Sequence, residues 1–76
     1  MKTWVCQEQL RRPDHSVISL SREEFTPDTV GADVTAKIAE GWTIGHQDSI
    51  SITLRSPKFL FGNYKYRHYW REGWVD

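Results

Sequence analysis

Apolar residues change period twice along the chain. From Lys2 to Arg11, Trp4, Cys6 and Leu10 alternate with Val5, Gln7 and Gln9. A period of two marks a strand with one buried face. Glu8 interrupts the apolar row, which puts its end of the strand in water or at an edge. In "RRPDH", Pro13 and Asp14 suit the two central positions of a turn. "SVISL" then resumes the alternation, with Ile18 and Leu20 on one face, so the first twenty residues predict a β-hairpin.

The period then lengthens to that of a helix. Val30, Val34 and Ile38 recur every four residues and form a narrow apolar stripe. Ser21 and Glu24 fit a capping box, but Pro27 would confine that helix to a single turn. Thr26 is the better N-cap, with Pro27 at the first helical position and Asp28 at the positive end of the helix dipole. Gly41 stands where a left-handed C-cap belongs. Gly31 and the β-branched residues weaken the intrinsic helix by up to about 1 kcal/mol each. The helix therefore depends on tertiary packing.

Beyond Gly41 the period returns to two. Trp42 and Ile44 share a face, and "GHQDS" reads as a hairpin connection. In "SISITLRS", Ile50, Ile52 and Leu54 oppose Ser49, Ser51, Thr53 and Arg55. "SPK" ends that strand. The last strand lies within Lys58 to Trp70, and "FGN" at 61–63 marks a bulge or turn. On the last strand Tyr64, Tyr66, His68 and Trp70 share one face, and Lys65, Arg67, Tyr69 and Arg71 the other. The expected fold is α+β, of ββαββ type. A small antiparallel sheet of four to five strands carries one helix on one face and leaves the other face wet.

Composition sharpens this. Seventy-six residues make one domain, which buries roughly 60% of its unfolded surface. Four Trp supply area that a modest apolar fraction of 38% would otherwise lack. One Cys excludes an intrachain disulfide framework. "MKTWVCQEQLRR" is neither a signal peptide nor a membrane span, so a cytoplasmic protein without membrane association is expected. Formal charge is zero but uneven. Bases crowd Arg55 to Arg71, and acids crowd Ser21 to Glu40. That dipole either steers the protein toward a partner or neutralises itself within one small body.

No glycine-rich phosphate loop, G-x-S-x-G elbow or H-E-x-x-H pair occurs, and a non-enzymatic role is expected. Cys6, His15, His46 and His68 form no paired metal half-site. Cys6 is expected as a small buried hydrophobe, His68 as a strand residue, and His15 and His46 as turn residues. No metal or cofactor is expected.

What remains is "FLFGNYKYRHYWREGW" (59–74), which holds seven of the ten aromatic residues. Tyr64, Tyr66 and Trp70 are expected to fill the core beneath the helix. Tyr69, on the basic face, and Trp74 are expected to be left in solvent, because one short helix cannot cover every ring. A protein-binding surface of Arg67, Tyr69, Trp70, Arg71 and Trp74 follows, since Tyr, Trp and Arg dominate interface hot spots. Its partner is either another protein or a second copy of the chain. In size and in lacking a catalytic motif, the chain is similar in kind to small phage- or mobile-element-encoded proteins that block host machinery. The alternative is a nucleic-acid-binding strand of Lys58, Tyr64, Lys65, Tyr66 and Arg67. Two things weigh against it. Most rings lie on the face opposite Lys65 and Arg67, and zero net charge gives no bulk attraction to phosphate.

Overall fold

The computed structural model describes residues 3–73. Strands β1 (Thr3–Arg11) and β2 (Val17–Phe25) precede helix α1 (Pro27–Ala39), followed by β3 (Thr43–Gln47), β4 (Ser51–Arg55) and β5 (Tyr64–Glu72). All pairings are antiparallel, in the order β2-β1-β5-β4-β3. The fold is thus a small α+β domain. The first and last strands lie side by side in the sheet interior, paired from Thr3↔Glu72 to Arg11↔Tyr64. No described helix is long and apolar enough to cross a membrane.

Local chemistry sets the helix ends as the spacing predicts. Thr26 Oγ1 accepts from Thr29 N at 3.2 Å, and Thr29 Oγ1 accepts in return from Thr26 N at 2.9 Å. Two N–H groups at the helix start, which lack helical partners, are thereby satisfied. At the other end Gly41 takes φ 100°. Gly41 N donates to Ile38 O and Trp42 N to Lys37 O, both at 3.0 Å. These are the two bonds of a Schellman motif, which needs a left-handed residue where Gly41 stands.

Two bulges shift boundaries that alternation misplaces. In β2, Leu20 is the extra residue between the Glu8↔Ser21 and Gln9↔Ser19 pairs. The strand therefore runs on through Ser21–Phe25, and Ser21 caps nothing. Ile18 and Leu20, expected on one face, are separated by the bulge. In β3, Gly45 is skipped between Ile44↔Leu54 and His46↔Thr53, so "GHQ" is strand. The hairpin turn comes later. Asp48 Oδ1 accepts from Ile50 N at 2.9 Å and Ser51 N at 2.8 Å, and these bonds hold its carboxyl down at about 2.

Helix α1 covers one face of the sheet. Between helix and sheet Trp4, Cys6, Val30, Trp42, Leu54 and Tyr69 form the core, flanked by Phe25, Val34 and Ile52. The inward direction of Trp4 and Cys6 fixes that of β5, because Cys6 is the Cα partner of Tyr69. Tyr69 is therefore inside and fully buried, and Arg67 is 3% exposed. The expected facing of β5 is reversed. Tyr64, Tyr66 and Trp70 do not fill the core beneath the helix; they lie on the opposite, open face.

Val30 is the buried residue of α1. Val30→Ala is expected to lower the unfolding free energy by about 2 kcal/mol, read from urea denaturation. Ile38, 43% exposed at the other end of the stripe, should lose under about 0.5 kcal/mol on the same change.

Candidate functional site

The buried side of β5 is a polar knot. The Arg67 guanidinium reaches Glu8 Oε1 at 2.8 Å, Asp33 Oδ2 at 3.0 Å and Glu23 Oε1 at 3.8 Å. Its Nε donates to the Tyr69 hydroxyl at 2.8 Å, and that hydroxyl donates to Asp33 Oδ2. Burial opposes the charge on Arg67, but the bonds to Tyr69 and Glu8 outweigh it and hold the pKa above the ordinary range. Burial, then the bond to Asp33, raises that of Tyr69, so the phenol stays neutral. Burial also pushes the Cys6 thiol up to about 12, which keeps it unreactive. Of the residues expected to bind a protein partner, Arg67 and Tyr69 are thus inside. Arg71 is half-buried on the helix side, Trp70 is half-buried on the open face, and Trp74 lies outside the described residues.

On the open face, alternate residues of β5 make a row: Tyr64, Tyr66, His68 and Trp70. Register sets Gln7, Gln9 and Arg11 of β1 on one side and Ser51, Thr53 and Arg55 of β4 on the other. Tyr64 and Tyr66 meet edge to face at 5.4 Å between centroids. Tyr66 and His68 stack at 5.9 Å with 26° between planes. Arg11 Cζ sits 4.6 Å from the Tyr66 centroid, and Arg55 Cζ sits 4.4 Å from that of Tyr64. Each is within cation–π range. Arg11 Nε is buried without a hydrogen-bond partner among the described residues. Thr53 Oγ1 lies 3.0 Å from His68 Nδ1. Burial, then the nearby Arg11 charge, lowers the His68 pKa, so this ring is neutral at pH 7.

Charge on this face separates along β5. Toward Trp70 the acids are paired: Arg22 holds Glu24 at 3.2 Å and Glu72 at 3.1 Å. Toward Tyr64, Arg11 and Arg55 flank the row on this face, while Arg12, Lys58 and Lys65 lie at the same end of the sheet, the two lysines on its helix side; none of the five forms an ion pair with a described residue. Asp14, in the nearby β1–β2 turn, is bonded to Ser16 N at 3.0 Å and Ser16 Oγ at 2.6 Å. The sheet end at Tyr64 therefore combines half-buried rings with Arg11 and Arg55, neither of which forms an ion pair with a described residue.

No known protein family, curated protein or solved structure matches the chain. The site stands on its own geometry.

Among the residues expected to contact nucleic acid, Tyr64 and Tyr66 share the open face, Lys58 and Lys65 lie on the helix side, and Arg67 is withdrawn into the knot. The cations that accompany the rings are instead Arg11 and Arg55. Alternation within β4 separates Arg55 from its apolar neighbours, but only cross-strand register brings it to Tyr64 and Tyr66. His46 pairs with Asp48 at 2.8 Å, and no group of three metal-ligating residues forms among the described residues. On the helix side a groove of about 470 Å³ is lined by Lys37, Glu40, Trp42, Lys58, Phe59 and Lys65.

Arg67→Ala leaves Glu8 and Asp33 with no counter-charge beneath the helix and is expected to cost about 3–5 kcal/mol. Tyr69→Phe, which removes only the hydroxyl, should cost about 1–3 kcal/mol. Chemical denaturation of both variants checks this order. The lowered His68 pKa makes a separate prediction. The unfolded chain binds a proton near the ordinary 6.5, more readily than the folded one. The His68 contribution is therefore complete above that pH and is lost as pH falls below it. Melting temperatures between pH 7.5 and 5 should fall more steeply for wild type than for His68→Gln.

Proposed function

We propose that the protein binds single-stranded nucleic acid across the open face of its sheet, as a non-enzymatic module. One observation carries the reading: four rings in a row on β5, with Arg11 and Arg55 beside them from neighbouring strands, neither in an ion pair with a described residue. Such a face binds by stacking bases on rings and placing cations along the phosphates. Tyr64 to Trp70 spans about 20 Å at roughly 3.3 Å per residue, room for a few nucleotides. Gln7, Gln9, Ser51 and Thr53 supply hydrogen-bond donors and acceptors for base edges. Zero net charge is compatible with this, because five of the ten acids, Glu8, Glu23, Glu24, Asp33 and Glu72, are paired with Arg67 or Arg22. Ring stacking is tolerant of sequence, so weak base preference follows.

Fluorescence anisotropy with labelled single-stranded oligonucleotides tests this. Binding at about 50 mM salt should weaken at about 200 mM, with a log–log slope near −0.7 for each phosphate contacted. Tyr66→Ala should lose about 1–3 kcal/mol, roughly 5- to 150-fold. Arg55→Ala should flatten the salt slope by about 0.7. No binding at low salt, or an affinity indifferent to salt, overturns the reading.

A protein-binding role is the second reading. It rests on Trp70 and on the edge strand β2, where Val17 is 47%, Ile18 36% and Leu20 44% exposed. An unpaired edge of that kind accepts a strand from another chain. It gains if oligonucleotides fail while an identified protein is retained by wild type and lost with Trp70→Ala.

A further inference from the structure

The β4–β5 connection breaks two rules at one residue. Phe61 is 90% exposed, and its φ of 62° and ψ of 23° are left-handed. Bulky residues rarely take that conformation, and this ring gains almost no burial in return. The loop around it is closed by its own bonds. Phe59 N donates to Asn63 O at 2.8 Å and Gly62 N to Phe59 O at 2.9 Å. Below it, Ser56 N donates to Lys65 O at 2.9 Å, and Lys65 N to Ser56 Oγ at 2.8 Å. Gly62 takes φ 77°, and a Cβ there would approach Pro13 Cγ to 3.3 Å, so the loop abuts the β1–β2 turn. The backbone thus holds Phe61 outward. Observed strain combined with exposure points to a contact role.

The surroundings say what the ring meets. Lys58 and Lys65 flank the loop from the helix side, with Lys65 Nζ 5.9 Å from the Phe59 ring centroid, and Arg12 follows β1 next to Pro13. All three lack an ion-pair partner among the described residues. Asn63 leads directly into Tyr64, the first ring of the open-face row. Phe61 and the 42% exposed Phe59 together offer little area for membrane anchoring, which scales with buried apolar surface. The Phe61 ring among unpaired cations matches the chemistry of a base and its phosphates, where apolar side chains wedge against base steps.

We propose that Phe61 is a stacking wedge that caps the nucleic-acid path at its Tyr64 end. Its ring packs on one base beyond Tyr64, and Lys58, Lys65 and Arg12 hold the adjoining phosphates. The inference rests on the nucleic-acid reading above. It adds an end point, and hence a fixed position on the ligand, to a surface that would otherwise let the strand slide.

Single-stranded oligonucleotides carrying 2-aminopurine at successive positions test it, since the fluorescence of that base is quenched by stacking. Phe61→Asn is the chosen variant because Asn tolerates the left-handed conformation. It should weaken binding about fivefold or more and relieve quenching at one end position. Its melting temperature should equal or exceed that of wild type, and Phe61→Trp should restore binding. If Phe61→Asn binds and quenches like wild type while Tyr66→Ala does not, the wedge is wrong and the open-face reading survives. If wild type binds no oligonucleotide, both fall. Phe61-dependent co-sedimentation with phosphatidylserine vesicles would assign the ring to a lipid surface and overturn the inference.

Discussion

The fold turns on one buried guanidinium. Arg67 sits with 4% of its side chain exposed and reaches carboxylates from β1, β2 and α1, together with the Tyr69 hydroxyl of its own strand. The helix and the first hairpin are thereby tied to the last strand. A buried ion pair adds little net stability over a well-packed apolar core, but removing one member leaves a charge stranded. What the knot supplies is selection. Slipping β5 by one residue would carry Arg67 and Tyr69 out of reach of Glu8 and Asp33 and turn Tyr66 and His68 inward, where they have no such partners.

That inner choice makes the outer face. Side chains alternate along a strand, so burying Arg67 and Tyr69 exposes the row from Tyr64 to Trp70. The knot also consumes acid. Glu8, Glu23 and Asp33 answer Arg67, and Glu24 and Glu72 answer Arg22. A chain with no net charge therefore keeps a basic end, and local potential governs encounter with an anionic ligand more than the total does. The buried Nε of Arg11, without a hydrogen-bond partner among the described residues, and the left-handed Phe61 occur at this same end. Local rules tend to be broken where a protein makes contacts.

Much was legible in the order of residues. Alternation located the strands, and the spacing of Val30, Val34 and Ile38 located the helix. Thr26, Pro27 and Gly41 set its ends through bonds within a few residues of themselves. The α+β class follows from those elements in that order. The bulges at Leu20 and Gly45 leave no mark in the alternation because each is defined by a partner strand. Both changed which residues share a face.

The sequence alone determined that β5 has an aromatic face and a basic one, since the period of a strand is a local property. Tertiary structure decided which face lies inside. Cross-strand register set Tyr69 beside Cys6, and Asp33 came down from the helix to meet it. Arg11 and Arg55 reached the aromatic row in the same way, from strands distant in sequence. Pairings of that kind depend on how whole strands align, and no pattern within a single segment encodes them.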